Sequence, residues 1–293
     1  MYKKKRLLIF GFGYTSKFMC HTLAEKNWEV FCTTRFSNKS KEIKSINATP
    51  IIFNDEEKIN SILAEDLFVL STVPPESGKD PVIENYGHLL AKNNKRIKTV
   101  GYLSTTSVYG DKKGEWVTEE TVLEPNLERS ISRVAVEKLW LKFGEKFSIK
   151  TLIFRLAGIY GPGRSLIDRL LGDEKIYIVD KPSHLFNRIH IEDIVGAIEM
   201  GMSSQSGTTI LNLSDDLPAT QLEVAKFAAS LLKKKHPDTV SLESEMVSEM
   251  ARSFYKEEKK VSNKKLKNEL GYQLTFPSFK EGLLAIHKNF KEF

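Results

Sequence analysis

Cysteine is nearly absent from this chain of 293 residues, with Cys20 and Cys32 as the whole supply. Both lie in apolar-patterned segments, so two buried free thiols are expected rather than a disulfide framework. No CxxC and no paired histidines stand at metal-ligand spacing, which gives no ground for a metal site. Long hydrophobic runs are missing too, and nothing approaches the ~20 apolar residues that span a bilayer. The start, MYKKKRLLIF, is basic and then apolar, but Leu7–Phe10 is too short for a secretory segment. A cytoplasmic protein without membrane partners is expected. No low-complexity linker separates the halves of the chain.

What is present is an ordinary globular composition, 41% hydrophobic and 28% charged. The net charge of +6 comes from 44 Lys+Arg against 38 Asp+Glu. The lysines are scattered, with short runs at Lys3–Arg6 and Lys233–Lys235 and no interleaved aromatics, which argues against a nucleic-acid face. Through the first half, short apolar runs alternate with helix-period segments. The runs are 6–10, 28–34, 49–53, 67–73, 97–104 and 150–157, with helices between them near 15–26, 81–94 and 128–146 among others. Strands apolar on both faces and separated by helices predict a doubly wound parallel sheet of the Rossmann type. After residue 158 the pieces shorten. The reading is an α/β protein with a dinucleotide lobe over 1–157. The remaining sheet elements and a smaller C-terminal α+β substrate lobe occupy 158–293.

GFGYTS (11–16) directly follows the first strand and opens the first helix. Gly11 suits a tight turn, and Gly13 lets backbone N–H groups approach a pyrophosphate at the helix N-terminus, with Tyr14, Thr15 and Ser16 beside it. Ser16 replaces the third glycine, for which a slightly wider helix–strand contact is expected. The plain alternative is a tight strand–helix turn. The end of the second strand carries Thr34 and Arg35 instead of an acid, which suits the 2′-phosphate of NADP better than the free ribose of NAD, with NAD as the other option. The competing reading leaves Arg35 as a solvated loop residue. Asp55 is placed either to reach an adenine amino group or to cap the following helix.

Three further stretches are LSTTSVYGD (103–111), RLAGIYGPGR (155–164) and NRIHIEDIVGAI (187–198). With the glycine loop and the C-terminal VSNKKLKNELGYQLTFPSFKEGL (261–283), they resemble the extended short-chain dehydrogenase/reductases, the NAD-dependent epimerase/dehydratase family. The resemblance covers nearly the whole chain. It implies that Thr105, four residues before Tyr109, is the active-site hydroxyl. It also implies a Tyr-x-x-x-Lys pair followed four residues later by Glu. Glu137 fits that last place, and the pair's positions hold Arg129 and Arg133, a departure similar to an atypical subgroup of the family. Guanidinium stays protonated and cannot serve as the acid or base that a tyrosine supplies. It can bind ribose, phosphate or carboxylate, so Arg133 is expected at the nicotinamide ribose and Arg129 at an anionic ligand. The alternative is an exposed ion-pair face shared with Glu137.

By the same resemblance Val73 and Pro74, with Pro75, shape the cofactor cleft, and Ala157 and Gly158 border the nicotinamide. Small residues after a strand also simply allow a turn. Tyr109, Tyr160 and His190 are candidates for a displaced proton donor, although the tyrosines equally serve as loop anchors and His190 as a structural residue beside Asn187 and Asp193. The function expected is that of an NAD(P)-binding epimerase/dehydratase-like or reductase-like enzyme acting on a small molecule such as a nucleotide sugar. A cofactor-dependent sensor or scaffold without chemistry is the alternative, and a lyase-type enzyme with an anion-stabilising arginine is a third reading. A homodimer is left open.

Overall fold

A computed structural model describes residues 4–172 and 175–291. The apolar runs become strands because both of their faces are covered, so alternation of polar and apolar residues is not needed. Arg6–Phe10 (β1), Glu29–Thr34 (β2), Thr49–Ile52 (β3), Leu67–Ser71 (β4) and Ile97–Thr105 (β5) join the strands Thr151–Leu156 and Thr209–Leu213 in one seven-stranded sheet. Across the sheet the order is Thr209–Leu213, Thr151–Leu156, β5, β4, β1, β2, β3. β1 pairs in parallel with β2 and β4, β2 with β3, and β4 with β5. The chain leaves β1 toward β3 and then returns to β4 on the other side. The order therefore reverses at β1 and β4, and the carboxyl ends of such strands are where open α/β sheets bind ligands.

Helices Tyr14–Glu25 (α1), Ser40–Ser45 (α2), Glu56–Leu63 (α3), Pro81–Lys92 (α4) and Glu128–Phe147 (α5) follow their strands. Local chemistry starts several of them. Asp55 caps α3 by accepting from Lys58 N at 3.0 Å. Asp80 caps α4 through Val82 N and Ile83 N, both at 2.9 Å, with Pro81 in the first turn, where its missing N–H costs nothing. A short 3₁₀ turn, Ser37–Lys39, precedes α2. Phe10, Tyr86, Tyr102, Val136 and Trp140 belong to one buried cluster of sheet and helices.

The chain forms two compact units that interleave in sequence. The first is Met1–Thr105, Leu127–Arg155 and Val195–Leu211, and the second is Thr106–Asn126, Leu156–Ile194 and Asn212–Phe293. The second unit holds short parallel strand pairs, Gly158–Tyr160 with Arg188–His190, Tyr177–Val179 with Asp238–Val240, and Trp116–Val117 with Lys260–Val261. Strands of two or three residues carry no readable period, so the sequence does not announce them. The helix Glu249–Phe254 likewise falls in a stretch that reads as a polar connection. Helices Leu166–Leu171 and Gln221–Leu231 begin with capping boxes, Ser165 with Asp168 and Thr220 with Glu223. The helix Lys264–Asn268 ends before Gly271, whose φ of +77° accommodates the reversal expected there. Among the described residues, no helix is long and apolar enough to cross a membrane.

Candidate functional site

The glycine loop is held in place by a small hydroxyl network. Gly11 has φ +97°, and a Cβ built there would lie 2.7 Å from Thr72 Oγ1, so the turn requires glycine twice over. Its N–H donates to Thr33 Oγ1 at 2.9 Å, and the Cys32 thiol donates to its carbonyl at 3.5 Å. Cys20 and Cys32 are buried free thiols, and a hydrogen bond with Cys20, followed by burial, pushes the Cys32 thiol up. Thr72 donates to the Phe10 carbonyl at 2.9 Å, so Ser16 supplies the proton in its own 2.9 Å contact with Thr72. Ser16 is fully buried there. A serine thus replaces the third glycine by bonding across the helix–strand contact. Gly13 caps α1 with no side-chain cap and no acid in the first turn, and a Cβ at Gly13 would meet nothing within 4 Å. Space in front of an uncapped helix N-terminus suits an anion.

The flanking residues sort by exposure. Thr15 and Thr34 are buried, Tyr14 is half-buried against Phe18, and Arg35 is exposed. Thr34 Oγ1 accepts from Phe36 N at 3.1 Å and shapes the turn that presents Arg35. Arg35 Nη1 lies 3.5 Å from Glu76 Oε1, an exposed pair of little energetic weight. Asp55 takes the capping role. Val73 packs against the core while Pro74 is exposed.

At the end of β5, Thr105 is half-buried. Arg133 Nη1 donates to Tyr102 Oη at 2.9 Å and to the Leu103 carbonyl at 2.8 Å, which brings the guanidinium onto the strand end that carries Thr105. Arg129, one turn earlier on α5, is exposed. Glu137 belongs to neither arginine. It is 2% exposed, and both of its oxygens receive Arg155, with Nη2 to Oε2 at 2.8 Å and Nε to Oε1 at 3.1 Å. Ser104 Oγ donates to Oε1 at 2.5 Å. The alternative of one exposed ion-pair face over Arg129, Arg133 and Glu137 therefore fails, because Glu137 faces inward toward the sheet. The sequence held an unused signal for this pair. Arg155 interrupts the apolar run TLIFRL, and a charge inside a buried strand demands a partner. Tyr102 and Thr72 gave no such signal, since a tyrosine and a threonine are ordinary in and after strands.

Within the second unit, the candidate proton donors are all buried. Tyr109 is 0% exposed and donates to Asn212 Oδ1 at 2.7 Å, while Tyr160 bonds the Ser278 carbonyl at 3.3 Å and burial pushes its hydroxyl up. Ala157 N donates to the Leu213 carbonyl and Gly158 N to the Asn187 carbonyl, each at 3.0 Å. Asn187 bonds the Lys259 carbonyl and Val261 N, and Asp193 accepts from Thr275 N, Phe276 N and Tyr272 Oη. These two residues clasp the C-terminal segment.

His190 is 1% exposed, its Nδ1 accepts from Glu192 N at 3.3 Å, and its Nε2 has no partner among the described residues. Burial holds the imidazole down at about 4, against roughly 6.5 when unfolded. The native ring is neutral, so its contribution is complete above pH 6.5 and is lost as pH falls toward 4. Urea unfolding from pH 7 to 4.5 should show the wild type losing about 2 kcal/mol more than His190→Asn. Parallel pH profiles would refute this assignment.

The model of the NAD dependent epimerase/dehydratase family matches residues 86–213. A functionally unknown conserved protein from Silicibacter pomeroyi DSS is 36% identical, with a TM-score of 0.90 and coverage of 98% of this chain and 99% of that one. Protein YeeZ of Escherichia coli K12 is 27% identical over 224 residues, 71% of this chain and 77% of YeeZ. The UDP-glucuronic acid 4-epimerase of Bacillus cereus, in complex with UDP-glucuronic acid and NAD, shares the fold at 19% identity and a TM-score of 0.76, covering 98% of this chain and 99% of that one. With the glycine loop, the strand order and these matches together, the chain belongs to the NAD-dependent epimerase/dehydratase family.

Proposed function

We propose that the chain binds a nicotinamide dinucleotide along the carboxyl ends of β1, β4 and β5 and uses it on a small molecule, with nucleotide sugars as the first candidate class. Arg133 carries this reading. One side of its guanidinium is bound to β5, and no described contact takes Nε or Nη2. That free edge suits a pair of oxygens such as ribose hydroxyls. The open space at Gly13 fits a pyrophosphate. When bound, the dinucleotide supplies hydride transfer. In this reading Thr105 holds a substrate oxygen and Arg129 an anionic group. The epimerase of similar fold holds both NAD and UDP-glucuronic acid, which supports both ligand classes.

Arg35 favours NADP over NAD, because a phosphate dianion competes well against a single exposed glutamate. Calorimetry should give NADPH about tenfold tighter binding than NADH, the weight of one charge-assisted hydrogen bond. Equal affinities would remove the Arg35 assignment, and no binding of either would remove the site. A second reading, a dinucleotide-dependent sensor without chemistry, is favoured by one observation. Tyr109, Tyr160 and His190 are all buried, so none offers a ready replacement for a proton donor that typically contributes ~10²–10⁴-fold. Turnover of a nucleotide-sugar and carbonyl panel with both cofactors, repeated with Thr105→Ala, separates the two. Turnover abolished by that change supports the enzyme, and tight binding with no turnover supports the sensor.

A further inference from the structure

Tyr102 is fully buried on β5, and a buried phenol hydroxyl needs a partner. Its ring stacks on Trp140, with centroids 6.4 Å apart and planes at 28°. Trp140 is fixed in turn, because its Nε1 donates to Asp80 Oδ2 at 3.0 Å while Asp80 Oδ1 caps α4. The place of the Tyr102 hydroxyl is thus set by a helix cap two contacts away. Its partner is the half-buried Arg133. An arginine has five N–H donors in one plane. Both hydrogens of Nη1 are used, one on Tyr102 Oη at 2.9 Å and one on the Leu103 carbonyl at 2.8 Å. Of the three others, Nε–H and one Nη2–H lie along one edge of the fork. A single acceptor would leave the guanidinium free to turn about that bond, whereas two acceptors on one nitrogen define its plane.

We infer that Tyr102 is a positioning residue, which orients Arg133 so that its Nε and Nη2 edge receives the paired hydroxyls of the ribose on the nicotinamide side. This rests on the dinucleotide reading above. Tyr102 itself touches no ligand in this arrangement and acts through the arginine alone.

Calorimetric titration with NADPH, ADP-ribose and ADP tests the assignment, since the first two carry the second ribose and ADP does not. Tyr102→Phe keeps the ring on Trp140 and removes only the acceptor. It should weaken NADPH and ADP-ribose about tenfold, the weight of one bond to a charged group, and leave ADP unchanged. In an Arg133→Ala background the same Tyr102→Phe change should have no further effect on any of the three, because its route is gone. Equal losses for all three probes would show general damage and overturn the inference. So would no loss for any probe, or a loss that persists without Arg133. Failure of the dinucleotide reading is distinguishable, because then the unaltered chain binds neither NADPH nor ADP-ribose, and both proposals fall.

Discussion

Replacing Glu137 by alanine should cost about 3–5 kcal/mol of folding stability, the loss associated with leaving one member of a buried ion pair alone. The side chains of Arg155 and Glu137 are each only 3% exposed, so water cannot take over for the missing carboxylate. The guanidinium bonds both carboxylate oxygens, and Ser104 Oγ adds a third donor, so the substitution strands donors on two strands at once. The damage lies beside the candidate site, since Ser104 precedes Thr105 and Glu137 is one turn beyond Arg133 on α5. Urea unfolding followed by circular dichroism is the check. A loss under about 1 kcal/mol would mean that solvent reaches the pair and that the network has no structural weight. Replacing both Glu137 and Arg155 by methionine should cost much less than the single change, because no charge is then left buried.

The second large effect is expected at the glycine loop, and it separates two glycines that look alike in sequence. Gly11→Ala forces a side chain into a φ of +97° and within 2.7 Å of Thr72 Oγ1. Thr72 cannot yield easily, because its hydroxyl is tied to Phe10 and Ser16. A cost of about 2–3 kcal/mol follows from the strained backbone and the crowded hydroxyl, with dinucleotide affinity falling at least tenfold as the loop shifts. Gly13→Ala has room within the protein and an ordinary φ of −105°. Its stability should stay within about 0.5 kcal/mol of wild type, the range of an unstrained surface change, while its affinity falls because the new methyl occupies the ligand's approach. Thermal unfolding and NADPH titration of both variants test the pair. Unchanged binding in Gly13→Ala would show that the space before α1 is not where the dinucleotide lies.

Sequence by itself determined the elements whose causes are local. Runs such as RLLIF and LFVLS are strands because four successive residues in each are apolar, and α3 and α4 begin where Asp55 and Asp80 can bond the first N–H groups. The tight turn at Gly11 was legible for the same reason, since GFG directly follows a readable strand, whereas Thr105, Arg129 and Arg133 were singled out only through the family resemblance. Tertiary structure alone decided the partners. Glu137 reads as one more charge on a helix until Arg155 arrives from a strand 18 residues away. Neither reading of Arg133, a ribose contact or an ion-pair face shared with Glu137, foresees Tyr102 and Leu103 of β5 beneath it. His190 reads as a proton donor until packing in the second unit removes it from water. Periodicity states which face of an element is buried. The group that face meets depends on strand order and on which helix lies over which strand, and those are properties of the whole chain.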